Sequence, residues 1–194
     1  TQLKAQLDAV MLTAKAGNSL VSKDLSWPRK ELVKFDGDWL SVEVPALSSI
    51  SVVEAPQAAS EATAQVGEHT IETPFYCVTY ADDGHVTSLY DLRLERELFT
   101  AAGGNVLTIY EDRPLDFNNW NIDADYPAKA TELKADQVTL TANTANYVDL
   151  TAIYRYGAST LQQVMRLYAE DPRIDFITDI DWHQHEELLR TAFN

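Results

Sequence analysis

The spacing of apolar positions changes along the chain. Over residues 2–16, Leu3, Leu7, Val10, Met11 and Ala14 recur at helical intervals. Gly17-Asn18 supplies a stop. So short an amphipathic helix is marginal alone in water and calls for a partner surface. From Leu32 the period becomes two. Val33 and Phe35 lead into Asp36-Gly37, a hairpin turn signal, and Leu40, Val42 and Val44 then alternate with Ser41 and Glu43 up to Pro45. Residues 55–68 (APQAASEATAQVGE) carry no large apolar anchors and read as linker or exposed loop, with a short surface helix as the alternative.

The remainder predicts a succession of strands. Phe75–Tyr80 precedes the turn Asp82-Asp83-Gly84, and Val86–Tyr90 follows it. Asn105–Tyr110 is another run, and Val138 and Leu140 alternate with threonines. Val148, Leu150, Ala152, Tyr154 and Tyr156 mark one long strand, and Ile174, Phe176, Ile180 and Trp182 share a parity near the end. Thr160–Tyr168 fits either period: Leu161, Val164, Met165 and Tyr168 suit a helix, whereas Leu161, Met165 and Leu167 suit one strand face. Propensity favours helix and the surroundings favour strand, so a strand is expected. Many strands with Gly, Asp and Asn turns indicate a β-sandwich. Of Trp27, Trp39, Trp120 and Trp182, at least two are expected in the core.

Composition narrows the function classes. Of 194 residues, 45% are hydrophobic and 23% charged, an ordinary globular profile. Asp and Glu number 30 against 15 Lys and Arg, for a formal net charge of −15, so phosphate backbones are repelled and nucleic acid is not an expected partner. No apolar run is long enough to span a membrane, so no membrane partner is expected either. Cys77, the lone cysteine, sits in an apolar strand pattern where a buried, inert thiol is the default. With no secretory signal and no Asn-x-Ser/Thr acceptor, a cytoplasmic location is expected.

Two clusters carry candidate chemistry. The first runs from Glu111 to Asp123 (EDRPLDFNNWNID) and follows a predicted strand. Carboxylates and amides pair with sugar hydroxyls, and an indole stacks on sugar C–H faces. Paired carboxylates also serve glycoside chemistry. The competing reading is a long Asx-rich turn with Trp120 folded into the core. The second cluster is Asp175, Asp179, Asp181, His183 and His185, all on one face if extended. Only Asp181, His183 and His185 lie close enough to share an ion, and a solvated strand face is the simpler account. His69 and His85 have no evident partner in the sequence. There is no Gly-rich phosphate loop, Gly-x-Ser-x-Gly elbow or His-Glu-x-x-His pair.

Several segments in order resemble the C-terminal β-rich region of the glycoside hydrolase family 38 α-mannosidases of bacterial type. They are Asn18-Ser19-Leu20 through Leu25-Ser26-Trp27-Pro28-Arg29-Lys30-Glu31, then Asp83-Gly84-His85-Val86-Thr87-Ser88-Leu89-Tyr90-Asp91. Arg96-Glu97-Leu98, Asn105-Val106-Leu107 and Tyr110-Glu111-Asp112-Arg113-Pro114 follow, then Trp120-Asn121-Ile122-Asp123. The resemblance ends in Ile174-Asp175-Phe176 through Asp181-Trp182-His183, and in Leu188-Leu189-Arg190-Thr191-Ala192-Phe193. Many members read Asp-Ala-Trp-Asp where this chain has Asn118-Asn119-Trp120-Asn121, and an amide cannot titrate as a general acid.

The resemblance implies a fragment of a larger zinc-dependent, retaining α-mannosidase. The start at Thr1 and the unpartnered helix agree with that expectation. The family's zinc ligands and nucleophile lie upstream, so this chain is expected to hold no catalytic residue, no metal ligand and no cofactor; the zinc belongs to the parent. The expected fold is all-β, supersandwich-like. Residues 1–17 are the tail of a helical bundle, 18–54 a small antiparallel β domain, 55–72 a linker and 73–194 a large antiparallel sandwich. Its expected partners are its own upstream catalytic domain and, through the parent, a mannoside or oligosaccharide substrate. Asp112, Arg113, Asn119, Trp120 and Asp123 are the expected substrate-lining residues. The alternatives are a stand-alone carbohydrate-binding sandwich and a structural or oligomerisation domain, the last exposing Leu3, Leu7 and Met11 for self-association.

Overall fold

The structure is a computed structural model that describes residues 20–54, 64–117 and 120–194. The helix expected over 2–16 lies outside the described residues. The chain divides into two compact units after Ser60. In the first, β1 (Leu20–Ser22), β2 (Arg29–Phe35), β3 (Asp38–Val44) and β4 (Ser49–Ser51) form two antiparallel pairs, β1 with β4 and β2 with β3. Asp36 and Gly37 both take positive φ, 50° and 94°, as a two-residue type I′ turn requires. Period two then decides what is buried: Leu40, Val42 and Val44 form a small core with Val52.

The second unit holds β5 (Gln65–Val66), β6 (Thr70–Glu72), β7 (Tyr76–Tyr80), β8 (Val86–Asp91), β9 (Arg96–Glu97), β10 (Gly104–Glu111), β11 (Ala130–Glu132), β12 (Gln137–Asn143), β13 (Tyr147–Tyr156), β14 (Ser159–Tyr168), β15 (Ile174–Asp181) and β16 (Glu187–Phe193). One sheet runs β11-β10-β8-β7-β6-β5, with β16 added to β10 and β9 to β8; the other runs β12-β13-β14-β15. Every pairing is antiparallel. The two sheets share their cores: Ile71, Val78, Tyr80 and Val86 of the first pack with Val148, Leu150, Met165 and Leu167 of the second. Leu107 and Ile109 of β10 pack with Leu133, Ala152, Tyr154 and Leu161. The all-β expectation holds.

Two local expectations change, and the strand expected over Thr160–Tyr168 is present. Residues 65–72, within the expected 55–72 linker, carry β5 and β6, with Ile71 fully buried and Val66 packed against the core. Thr160–Tyr168 is strand, since β13 and β15 pair with β14 on both edges and Leu161, Gln163, Met165 and Leu167 turn inward. None of the four tryptophans is fully buried. Trp39 and Trp182 are half-buried, and Trp182 stacks on Tyr156 at 6.4 Å between centroids at the rim of the core.

One polar bridge crosses the interior. β10 opens at Gly103 (φ 69°), Gly104 and Asn105 (φ 55°), and its register with β16 shifts between Gly104 and Val106. A Cβ on Gly103 would stand 2.7 Å from the Val86 carbonyl oxygen, and one on Gly104 would meet the Phe99 ring. The extra residue of this bulge, Asn105, takes the left-handed conformation that asparagine tolerates. Its Nδ2 donates to Gln163 Oε1 at 2.6 Å, and Gln163 Nε2 donates to Thr178 Oγ1 at 3.0 Å. Asn105 and Gln163 are both buried. On the other face of the β12–β15 sheet, Arg166 grips Asp149 with two 2.7 Å hydrogen bonds.

The end of β8 is fixed by a carboxylate. Buried Asp91 accepts hydrogen bonds from Arg93 N (2.8 Å), Leu94 N (3.0 Å) and Arg93 Nη2 (2.9 Å). Arg93 lies over Phe75 and Tyr76. The Arg93 side-chain hydrogen bond, against the cost of burial, holds the Asp91 carboxyl below its usual range.

Two outcomes follow. Gln163→Met leaves the Asn105 amide only its long 3.5 Å bond to the Gly84 carbonyl and lowers unfolding free energy by about 1–3 kcal/mol in urea titrations. Because the pKa of Asp91 is lowered on folding, its contribution is complete above the ordinary carboxylate pKa and is lost as pH falls through the lower folded value. Asp91→Asn therefore flattens the acid limb of the stability–pH curve, measured by urea midpoints across that range.

Candidate functional site

The loop from β10 to β11 contains the sequence-predicted sugar residues. Its backbone leaves β10 held to the turn before β16, with Asp112 N donating to Glu186 O at 2.7 Å. Arg113 Nε lies 2.6 Å from Glu186 Oε2 and 4.0 Å from Glu111 Oε1, which ties the guanidinium to the loop's base. Lys129 Nζ reaches Glu111 at 3.5 Å and Asp125 at 3.7 Å. Asp123 Oδ2 accepts from Leu115 N at 3.2 Å, and Asn121 Nδ2 donates to the Asp116 carbonyl at 3.2 Å. Phe117, at positive φ of 58°, turns the chain, and its carbonyl accepts from Trp120 N and Asn121 N.

The polar groups thus shape the loop, and the apolar ones face out. Leu115 is 93% exposed and Trp120 88%, with Phe117 and Ile122 also exposed. Trp120 does not fold into the core. The Asx-rich reading is correct for the backbone and wrong for the indole. Arg113 is committed to Glu186, and one oxygen of Asp123 is committed to the loop. Asp112 Oδ1 is buried without a hydrogen-bond partner. Asn119 lies outside the described residues.

The five residues on and after β15 do not converge. Asp175 accepts from Tyr168 OH at 2.6 Å and pairs with Arg173 Nε at 3.2 Å. Asp181 and His183 form an exposed pair at 3.0 Å. Among the described residues, the metal-compatible group is elsewhere: Asp83, His85 and Glu132, whose ligand atoms lie within 4.8 Å of one another. His85 Nδ1 is 3.3 Å from Glu132 Oε1 and 3.7 Å from Asp83 Oδ1, and Lys134 Nζ is 3.5 Å from Asp83 Oδ2. The turn Asp82-Asp83-Gly84 was the available signal for two members. Glu132 comes from β11, and no spacing in the sequence joins it to His85.

The family model for the Glycosyl hydrolases family 38 C-terminal domain matches residues 71–194. No curated protein matches the chain. The matched stretch takes in most of the sandwich, the β10–β11 loop and the Asp83–His85–Glu132 group.

Because its side chain touches little of the protein, Trp120→Ser is expected to change unfolding free energy by no more than about 0.5 kcal/mol. The same substitution removes a water-exposed, red-shifted component of the tryptophan emission. A large loss of stability on that substitution would return Trp120 to a packing role.

Proposed function

From the premise that this chain belongs to the family of glycosyl hydrolase family 38 C-terminal domains, we infer that it serves an α-mannosidase acting on α-linked mannosides. The chain is a non-catalytic domain of a family 38 glycoside hydrolase. In this reading the parent cleaves with retention, so a carboxylate nucleophile and a second acid are supplied from outside these residues. None of the four histidines, at 69, 85, 183 and 185, begins the His-x-Asp pair on which the family resemblance places catalytic zinc. This chain's residues therefore do not fit the catalytic zinc site, and no catalytic step is assigned to them. The parent's own catalytic domain is the proposed partner, in a cytoplasmic enzyme.

The observation that carries the reading is the outward set Leu115, Phe117, Trp120 and Ile122 on a loop whose polar groups are turned to its own backbone. Exposed apolar side chains grouped on one loop mark a surface meant to be covered. Burying a leucine or phenylalanine against a partner contributes about 1.5–3 kcal/mol each. At the edge of such a contact, Arg113, Asp112 and Asp123 offer charged groups for sugar hydroxyls, with Trp120 as a stacking face. A second reading, direct carbohydrate binding by this unit alone, is favoured by the same exposed indole.

The two separate in solution. Zinc-supplemented p-nitrophenyl α-mannoside is expected to release no p-nitrophenol with this chain alone, and zinc-dependent turnover would overturn the reading. Methyl α-mannoside is expected to leave the tryptophan emission unchanged. Saturable quenching that disappears in Trp120→Ser would instead establish the second reading.

A further inference from the structure

We propose that Asp83, His85 and Glu132 form a binding site for one divalent transition-metal ion, pinning the β7–β8 turn to β11. The inference is independent of the mannosidase reading, whose catalytic metal lies outside this chain.

The distances are the first argument. Imidazole–carboxylate hydrogen bonds run at about 2.7–3.2 Å between heavy atoms. His85 Nδ1 stands slightly beyond that from both acids, at 3.3 Å from Glu132 Oε1 and 3.7 Å from Asp83 Oδ1. Ligands held at 2.0–2.2 Å around a tetrahedral ion lie roughly 3.3–3.6 Å from one another. The His85–Glu132 spacing falls in that range, the His85–Asp83 spacing lies just beyond it, and all three ligand atoms are within 4.8 Å of one another.

The scaffold is set by backbone bonds. Ala81 N donates to His85 O at 2.9 Å and Gly84 N to Ala81 O at 3.0 Å, which closes the turn. Ala135 N donates to the Asp83 carbonyl at 2.8 Å, which ties that turn to the segment after β11. Glu132 is paired to Thr108 in the sheet. Ligands from two elements therefore face each other without a loop having to close.

A buried polar group beneath the turn is the second, independent argument. Tyr154 is 0% exposed, and its hydroxyl has no hydrogen-bond partner. The hydroxyl ends against the Asp83-Gly84 turn, so closely that a Cβ on Gly84 would collide with it. An orphaned buried hydroxyl costs free energy, and a water bound to a cation is a strong donor that the phenol oxygen can accept from.

Electrostatics and donor chemistry name the ion class. Two carboxylates and an imidazole nitrogen converge where Lys134 neutralises only the far oxygen of Asp83. A nitrogen lone pair facing two carboxylates is repelled unless a proton or a cation stands between them. An imidazole in the set favours zinc, cobalt, nickel or iron over magnesium or calcium. Three protein ligands leave a position for water.

Zinc and cobalt(II) are titrated by calorimetry into the metal-stripped 194-residue chain. One ion per chain is expected, with visible ligand-field absorption for cobalt and a shift of the His85 imidazole resonances with zinc. His85→Gln and Glu132→Gln are each expected to weaken zinc binding at least tenfold. Lys134→Met is expected to tighten it by removing a competing positive charge. Exposed Glu132 sits at a strand end, so its variant separates lost binding from lost folding, checked by urea midpoints without metal. Absence of saturable binding would overturn the proposal, as would binding that survives both substitutions or follows His183→Gln instead. Resonances of His85 that respond to pH but never to zinc would assign the position to a proton and overturn it equally.

Discussion

The Asn105 amide is the constraint from which the larger unit is built. It donates across the interior to Gln163, and Gln163 passes the chain of bonds on to Thr178 in β15. The bridge pairs the buried amide N–H with its acceptor while Asn105 Oδ1 has no partner among the described residues, and it favours one relative placement of the sheets among the many that apolar packing alone would accept. The backbone makes room for it with a bulge that two glycines and a left-handed asparagine permit. The same Nδ2 lies 3.5 Å from the Gly84 carbonyl, in the turn that carries Asp83 and leads to His85. Core registry and the candidate cation cluster therefore share one side chain.

Much of this was legible as period and turn chemistry. Asp36-Gly37 announces its hairpin because few residue pairs accept two consecutive positive φ values. The run from Val148 to Tyr154 shows its inward face because both sheets bury that side. Thr160–Tyr168 has the propensity of a helix and is made a strand by neighbours on both edges, a tertiary effect no local count contains. β5 and β6 were hidden because two or three residues of a strand carry almost no pattern, and only Ile71 is fully buried there.

The candidate sites were legible to different degrees. Composition pointed at the 112–123 loop, and the loop is where the large exposed side chains gather. Its direction was not readable: composition does not say whether Trp120 faces in or out. Arg113, expected to line a sugar site, pairs with Glu186, a residue far along the chain, while its side chain stays largely exposed. The same long-range pairing hid Glu132 from His85. Charged side chains find partners by topology, so residue type alone overstates how many are free to act.

The strand order has a consequence for the protein's birth. β16 completes the edge of β10 along its whole length, yet it is encoded well after it, behind the entire β12–β15 sheet. A ribosome adding about 5–20 residues per second leaves that edge bare for several seconds. In that interval β10 offers a row of unmet amides and carbonyls to any neighbouring nascent chain. The sheet that forms in between, β12 to β15, can fold and shield the apolar face of β10 first, which confines the exposed risk to one seam awaiting its final strand.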